Sequence, residues 1–114
     1  MKDSILKLVS EKQDVTFTEL SRDIPGFKGD TQMSLGAESN VILWNALSPE
    51  AYRALKDLID EARIFLHPAS FMAYQIDGDY PSVPTTDKPF KVGGYKTARW
   101  FPVCFFTYPH DAKA

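Results

Sequence analysis

Residues 48–64, SPEAYRALKDLIDEARI, decide the fold. Ser48 is a good N-cap, because its hydroxyl can accept a first-turn backbone N–H. Pro49 suits the first helical position, where no N–H is needed. Glu50 complements the positive end of the helix dipole. Leu47 and Tyr52 have the spacing of a hydrophobic staple. Tyr52, Leu55, Leu58, Ile59 and Ala62 recur at helical spacing and define one apolar face. The pattern predicts a helix over 48–64 docked through that face. Its polar face mixes Arg53, Lys56 and Arg63 with Glu50, Asp57, Asp60 and Glu61.

On the N-terminal side, Ile5, Leu8 and Val9 share a face, which predicts a short amphipathic helix over 4–12 capped by Asp3 or Ser4. In VTFTELSRDIPG, residues 15–26, Thr16 and Glu19 have capping-box spacing, with Val15 and Leu20 as a flanking staple. A second short helix is expected from Thr16 to about Ile24, where Pro25 and Gly26 stop it. Residues 25–40 are rich in glycine and polar turn formers and read as a long loop, with room for an extra short element. NVILW, 40–44, reads as a buried strand.

On the C-terminal side, IFLHPASFMAYQID, 64–77, reads as a β-hairpin with HPAS as its turn. Asp77-Gly78-Asp79 is a further turn. Residues 80–98 read as an extended loop, with any strand near 90–92 short. ARWFPVCFFTY, 98–108, is strand-like, and Pro102 places part of it at a sheet edge or bulge. Residues 109–114 are expected to fray.

The chain has 114 residues, 44% hydrophobic and 25% charged, which suits one folded domain over 1–108 rather than a disordered chain. No run approaches the roughly 18 apolar residues of a membrane span, and the charged start MKDSILKLVSEKQ is no secretory signal. The one cysteine, Cys104, sits in the apolar context PVCFF, which excludes an intramolecular disulfide and a zinc cage and fits a reducing cytoplasm. Net charge is −2, unevenly spread: −2 over 1–47, −3 over 48–80 and +3 over 81–114. A polyanion would meet the last third first.

Two short helices, a strand, a longer helix and strands behind it make an α+β pattern. ILKLVSEK, VTFTELSRDI and LSPEAYRALKDLIDEARIFLHP, with the hairpin behind them, resemble a winged helix-turn-helix domain over about residues 3–76. The chain is also similar in size and style to small phage and mobile-element proteins. The resemblance implies short helices plus one longer helix packed on a small antiparallel sheet, and a DNA-binding or protein-binding regulator. In it, 54–66 corresponds to a recognition helix running into a wing. Two features run against that helix as the reader of DNA. More than twenty residues separate Ile24 from Ser48, where a compact helix-turn-helix has a turn of about 3–4. Its polar face also carries four carboxylates, which phosphates repel.

Arg53 and Lys56 still share a face and could assist. The stronger basic candidate is DKPFKVGGYKTARWF, 87–101, where Lys88, Lys91, Lys96 and Arg99 interleave with Phe90, Tyr95, Trp100 and Phe101. Cations track phosphates and aromatic faces stack on bases. Gly93-Gly94 would allow close backbone approach. The competing reading makes the aromatics core and the lysines loop charges.

No catalytic constellation stands out. His67, in the expected wing turn, and His110 have no metal-ligand spacing, Cys104 reads as buried, and Asp77 with Asp79 is only half a calcium loop. The expectation is a non-enzymatic cytoplasmic protein without cofactor or metal. Its partners would be duplex or single-stranded nucleic acid, or a protein, with a homodimer as one form.

Overall fold

The computed structural model describes residues 1–36, 39–76, 80–89 and 93–110. Local signals place the helices. α1 (Lys2–Lys12) begins after Met1, with no side-chain cap, so neither Asp3 nor Ser4 has the capping role expected of it. β1 (Val15–Thr16) runs into α2 (Phe17–Asp23), whose capping box is complete. The Thr16 hydroxyl accepts from the Glu19 N–H at 3.1 Å, and the Glu19 carboxylate accepts from the Thr16 N–H at 3.4 Å.

The extra element allowed for in the loop at 25–40 is a full seven-residue strand, β2 (Lys28–Ser34). Its polar residues lie on an exposed edge, with Met33 as its one buried side chain, so no apolar run announces it. β2 pairs antiparallel, through several register shifts, with β3 (Val41–Leu47), which continues past the expected 40–44.

α3 (Pro49–Asp60) follows, and the Ser48 hydroxyl accepts from the Ala51 N–H at 3.1 Å. Ala51, Ala54, Leu55 and Leu58 are buried, and the helix packs on α1, β2 and β3. It stops earlier than its periodicity suggests. Ala62 takes a left-handed φ of 56° and the Arg63 N–H returns to the Leu58 carbonyl, leaving Ala62 exposed rather than on the apolar face.

The hairpin expected over 64–77 does not form. β4 (Phe65–Pro68) is present, but Phe71–Gln75 is a short helix, α4. The Ser70 hydroxyl caps it by accepting from the Met72 N–H at 3.2 Å. Tyr74 alone of its residues is buried, held by distant partners, so the apolar alternation there is not a strand face. The true partner of β4 is β6 (Val103–Phe106), antiparallel, with Phe65 opposite Phe106 and Pro68 opposite Val103. β1 pairs antiparallel with the other edge of β6, giving one sheet in the order β1-β6-β4.

The final strand-like run divides at Phe101-Pro102. β5 (Arg99–Trp100) lies parallel to β3 in a second sheet, β2-β3-β5, and the chain crosses to the first sheet as β6. The single antiparallel sheet expected is thus two three-stranded sheets. The protein is α+β. The expected Asp77-Gly78-Asp79 turn and the strand near 90–92 lie outside the described residues, as do 111–114 of the tail. Pro109 and His110 are exposed.

An aromatic cluster joins the two sheets. Phe17 stacks on Trp44 with centroids 5.1 Å apart and meets Phe105 edge-on at 5.0 Å. Trp44 contacts Tyr74 and Trp100. The radius of gyration, 13.4 Å, is close to the ~13 Å of a single folded body of about a hundred residues. Among the described residues, no helix is long and apolar enough to cross a membrane.

Candidate nucleic-acid interface

The strand pairing gives the basic segment its place. Because β4 and β6 pair from Phe65–Phe106 to Pro68–Val103, residues 69–102 leave and rejoin at the far end of this two-stranded ribbon. Lys88, Lys96 and Arg99 all lie on that insertion. Lys91 and Phe90 lie outside the described residues.

A hydrogen-bonded scaffold shapes the insertion. The Tyr95 hydroxyl donates to the Lys88 carbonyl at 2.7 Å and shares a 2.7 Å bond with the Thr86 hydroxyl. The Thr86 hydroxyl also accepts from the Lys88 N–H at 3.0 Å. The Asn40 amide donates to the Tyr95 carbonyl, and the Tyr95 N–H donates to the Ser39 carbonyl, which ties the insertion to the start of β3. The Arg99 guanidinium lies 5.4 Å from the Tyr95 ring centre, a cation–π contact, and its buried Nε has no hydrogen-bond partner in the protein. Lys88 and Lys96 extend exposed from this frame.

The described aromatics interleaved with these cations, Tyr95, Trp100 and Phe101, have partners within the protein. Trp100 is fully buried, with its indole N–H donating to the Leu43 carbonyl at 3.1 Å, so it offers no face to a base. Phe101 is partly buried against the core. Tyr95 is occupied with the loop and with Arg99. Gly93 and Gly94 have left-handed φ values of 77° and 70°, which explain the glycines conformationally. A Cβ on Gly93 would meet no other atom of the protein within 4 Å.

Arg53 and Lys56 lie apart from the insertion in sequence, on the exposed face of α3. Arg53 lines a shallow groove of about 310 Å³ with Met1, Lys2, Glu50, Ala54 and Asp57. Lys56 pairs with Asp60 at 3.3 Å, and Glu61 pairs with Lys2 and Arg63. The cations of this face are thus largely matched by neighbouring carboxylates.

Of the residues weighed for catalysis, His67 and Cys104 are buried, His110 is exposed, and Asp77 and Asp79 lie outside the described residues. His67 is in β4, not in a turn. It is buried, its Nε2 lies 2.7 Å from the Tyr108 carbonyl, and its ring stacks on Phe106 at 4.1 Å. The Cys104 thiol donates to the His67 carbonyl at 3.6 Å. Burial, and then the Asp14 carboxylate, push that thiol up to about 12. Among the described residues no three His, Cys, Asp or Glu side chains are grouped to hold a metal ion.

The sequence gives no sign of a further pair, Tyr80 and Phe71. They line a groove of about 460 Å³ with Pro81, Val83, Pro84 and Thr85. Their neighbours in sequence carry no signal, because the side chain that supports them, Trp100, lies far along the chain. No protein-family model matches the chain, and no curated protein or solved structure shows significant similarity to it.

Proposed function

We propose that the chain is a non-enzymatic, nucleic-acid-associated binding protein on a winged-helix frame, meeting phosphates through the insertion at its wing. The observation that carries this reading is the sheet order β1-β6-β4. A strand between the first two helices, a longest helix leading directly into a strand, and an antiparallel partner for that strand are the parts of the winged pattern. β2 and β3 occupy the place of the helix-turn-helix turn, and 69–102 occupy the wing tip. The cations at that tip, Lys88, Lys96 and Arg99, suit the polyanion, while the carboxylates of α3 disfavour helix-in-groove docking. The buried free thiol of Cys104 suits a reducing cytoplasm.

Fluorescence anisotropy with labelled duplex DNA, single-stranded DNA and RNA at low salt tests the reading. Binding should be salt-sensitive, and Lys88→Glu with Lys96→Glu should weaken it. The salt slope should fall by about 1 for each phosphate that the variant no longer neutralises. Absence of binding to all three ligands sinks the reading.

A second reading, a protein-interaction module, draws on a separate surface. Met72 and Ile76, one turn apart on and beside α4, are 66% and 84% exposed. Adjacent exposed apolar side chains suit a protein contact, a second copy of the chain included. Concentration-dependent self-association that Ile76→Asp abolishes would support it.

A further inference from the structure

We infer that the groove beside Tyr80 and Phe71 receives an unpaired nucleobase, so that the nucleic acid held by the basic insertion is single-stranded. The inference rests on the nucleic-acid reading above and specifies its ligand. Tyr80 is a fixed platform. Its ring stacks on Trp100, 3° from parallel with centroids 5.7 Å apart, yet 37% of the residue remains exposed. Trp100 is immobilised beneath it by burial and by its bond to Leu43. Phe71 stands edge-on to both rings, 5.0 Å from Tyr80 and 5.9 Å from Trp100. A flat apolar ligand therefore meets an aromatic wall already ordered before binding, which lowers the entropic cost of association. Pro81, Val83 and Pro84 complete the apolar lining, and Ser82 and Thr85 supply hydroxyls that can meet polar base edges.

The groove leads toward the charge. A second depression of about 360 Å³ shares Phe71 and Thr85 with the first and continues to Thr86 and Asp87, the residues immediately before Lys88. Asp87 is the one carboxylate among the described residues lining the two depressions. Aromatic stacking beside a cationic track is how single strands are held without duplex geometry. Duplex DNA keeps its bases stacked inside and cannot present one here without flipping it. A proline-rich peptide also favours aromatic clefts, but it has no use for the adjoining cations, and a phosphodiester chain does.

The test compares a labelled single-stranded oligothymidine with a duplex of equal length, by anisotropy at low salt. The single strand should bind at least about tenfold tighter. Tyr80→Ala should weaken single-strand binding at least about fivefold, Tyr80→Phe should retain it, and residual duplex binding should be unchanged by either. Because Tyr80→Ala also removes support from Trp100, Ser82→Trp provides an independent variant: it fills the groove while leaving Tyr80, Phe71 and Trp100 unsubstituted, and should reproduce the loss. Equal binding of both ligands, unaffected by Tyr80→Ala and Ser82→Trp, overturns the inference and leaves the nucleic-acid reading standing. No binding of either ligand overturns both. Tighter binding of a proline-rich peptide than of the oligothymidine, competing with it and abolished by Ser82→Trp, also overturns the inference.

Discussion

The phenol oxygen of Tyr74 lies 3.0 Å from the backbone nitrogen of Phe17, and accepts its N–H while donating to the Val103 carbonyl at 2.6 Å. One buried hydroxyl thereby joins the first residue of α2, the helix α4 and the strand β6. Tyr74→Phe keeps the ring and strips both bonds, leaving a buried N–H and a buried carbonyl without this partner. A loss of about 1–3 kcal/mol is expected. Urea denaturation monitored by circular dichroism measures it.

Gly29 passes the junction of β3 and α3 so closely that a Cβ would stand 2.6 Å from the Leu47 carbonyl oxygen and 2.6 Å from the Ser48 Cα. Both are backbone atoms and cannot rotate away. Gly29→Ala is expected to cost about 1–3 kcal/mol by overpacking, and to disturb the Ser48 cap. A lowered thermal midpoint together with increased amide exchange in the first turn of α3 is the expected result.

Ala62 holds its left-handed φ of 56° without a Cβ contact to recommend it, since the residue is exposed. Glycine adopts that conformation without steric penalty, so Ala62→Gly should stabilise the protein by about 1 kcal/mol, in contrast to the usual effect of adding glycine. A denaturation midpoint at or below that of the parent would refute this account of how α3 ends.

The two helix caps predict a local and additive pair. Thr16→Ala and Ser48→Ala should each cost about 0.5–2 kcal/mol. They cap different helices through separate hydrogen bonds, so the double variant should show the sum within about 0.5 kcal/mol. Equilibrium unfolding of the two single variants and the double variant gives the comparison.

Alkaline pH provides a further test. Burial is the main cause that raises the ionisation of both Tyr74 and Cys104 in the folded protein, the thiol from 9.0 to about 12. The unfolded chain ionises first as pH rises, so it binds fewer protons than the folded chain. The thiol's contribution is therefore whole below about pH 9 and is lost between there and about pH 12. Cys104→Ala should flatten the first part of that decline. The native thiol should also react with a disulfide reagent only as fast as the chain opens.

What could be read in the sequence was what neighbours in the chain decide. Thr16 with Glu19, and Ser48 with Pro49, reveal their caps because each partner lies within four residues. β2 is not legible as a strand because an edge strand exposed on most of its length carries no apolar signal. Phe71–Gln75 misled for the opposite reason. Its alternation suits a strand, but the Ser70 cap and the distant hydrogen bonds of Tyr74 select a helix. Lys88, Lys96 and Arg99 could be found from composition, whereas their shared place at the end of the β4–β6 ribbon depends on a pairing across 34 intervening residues. The Tyr80 groove was illegible for the same reason, since Trp100, on which Tyr80 stacks, lies far along the chain.

The pairing of β6 also bears on how the chain is made. β1 and β4 never touch as strands; each pairs only with β6, and β3 finds its parallel neighbour only in β5. During synthesis, a chain that has emerged as far as Ala98 has α1, α2 and α3 but no completed sheet, and lacks the Trp100 that fills the centre. Tertiary closure must await the segment 99–106, after which both sheets can form together. A ribosome-stalled chain ending at residue 98 should remain open to protease, and one extended past residue 106 clear of the exit tunnel should become resistant in a single step.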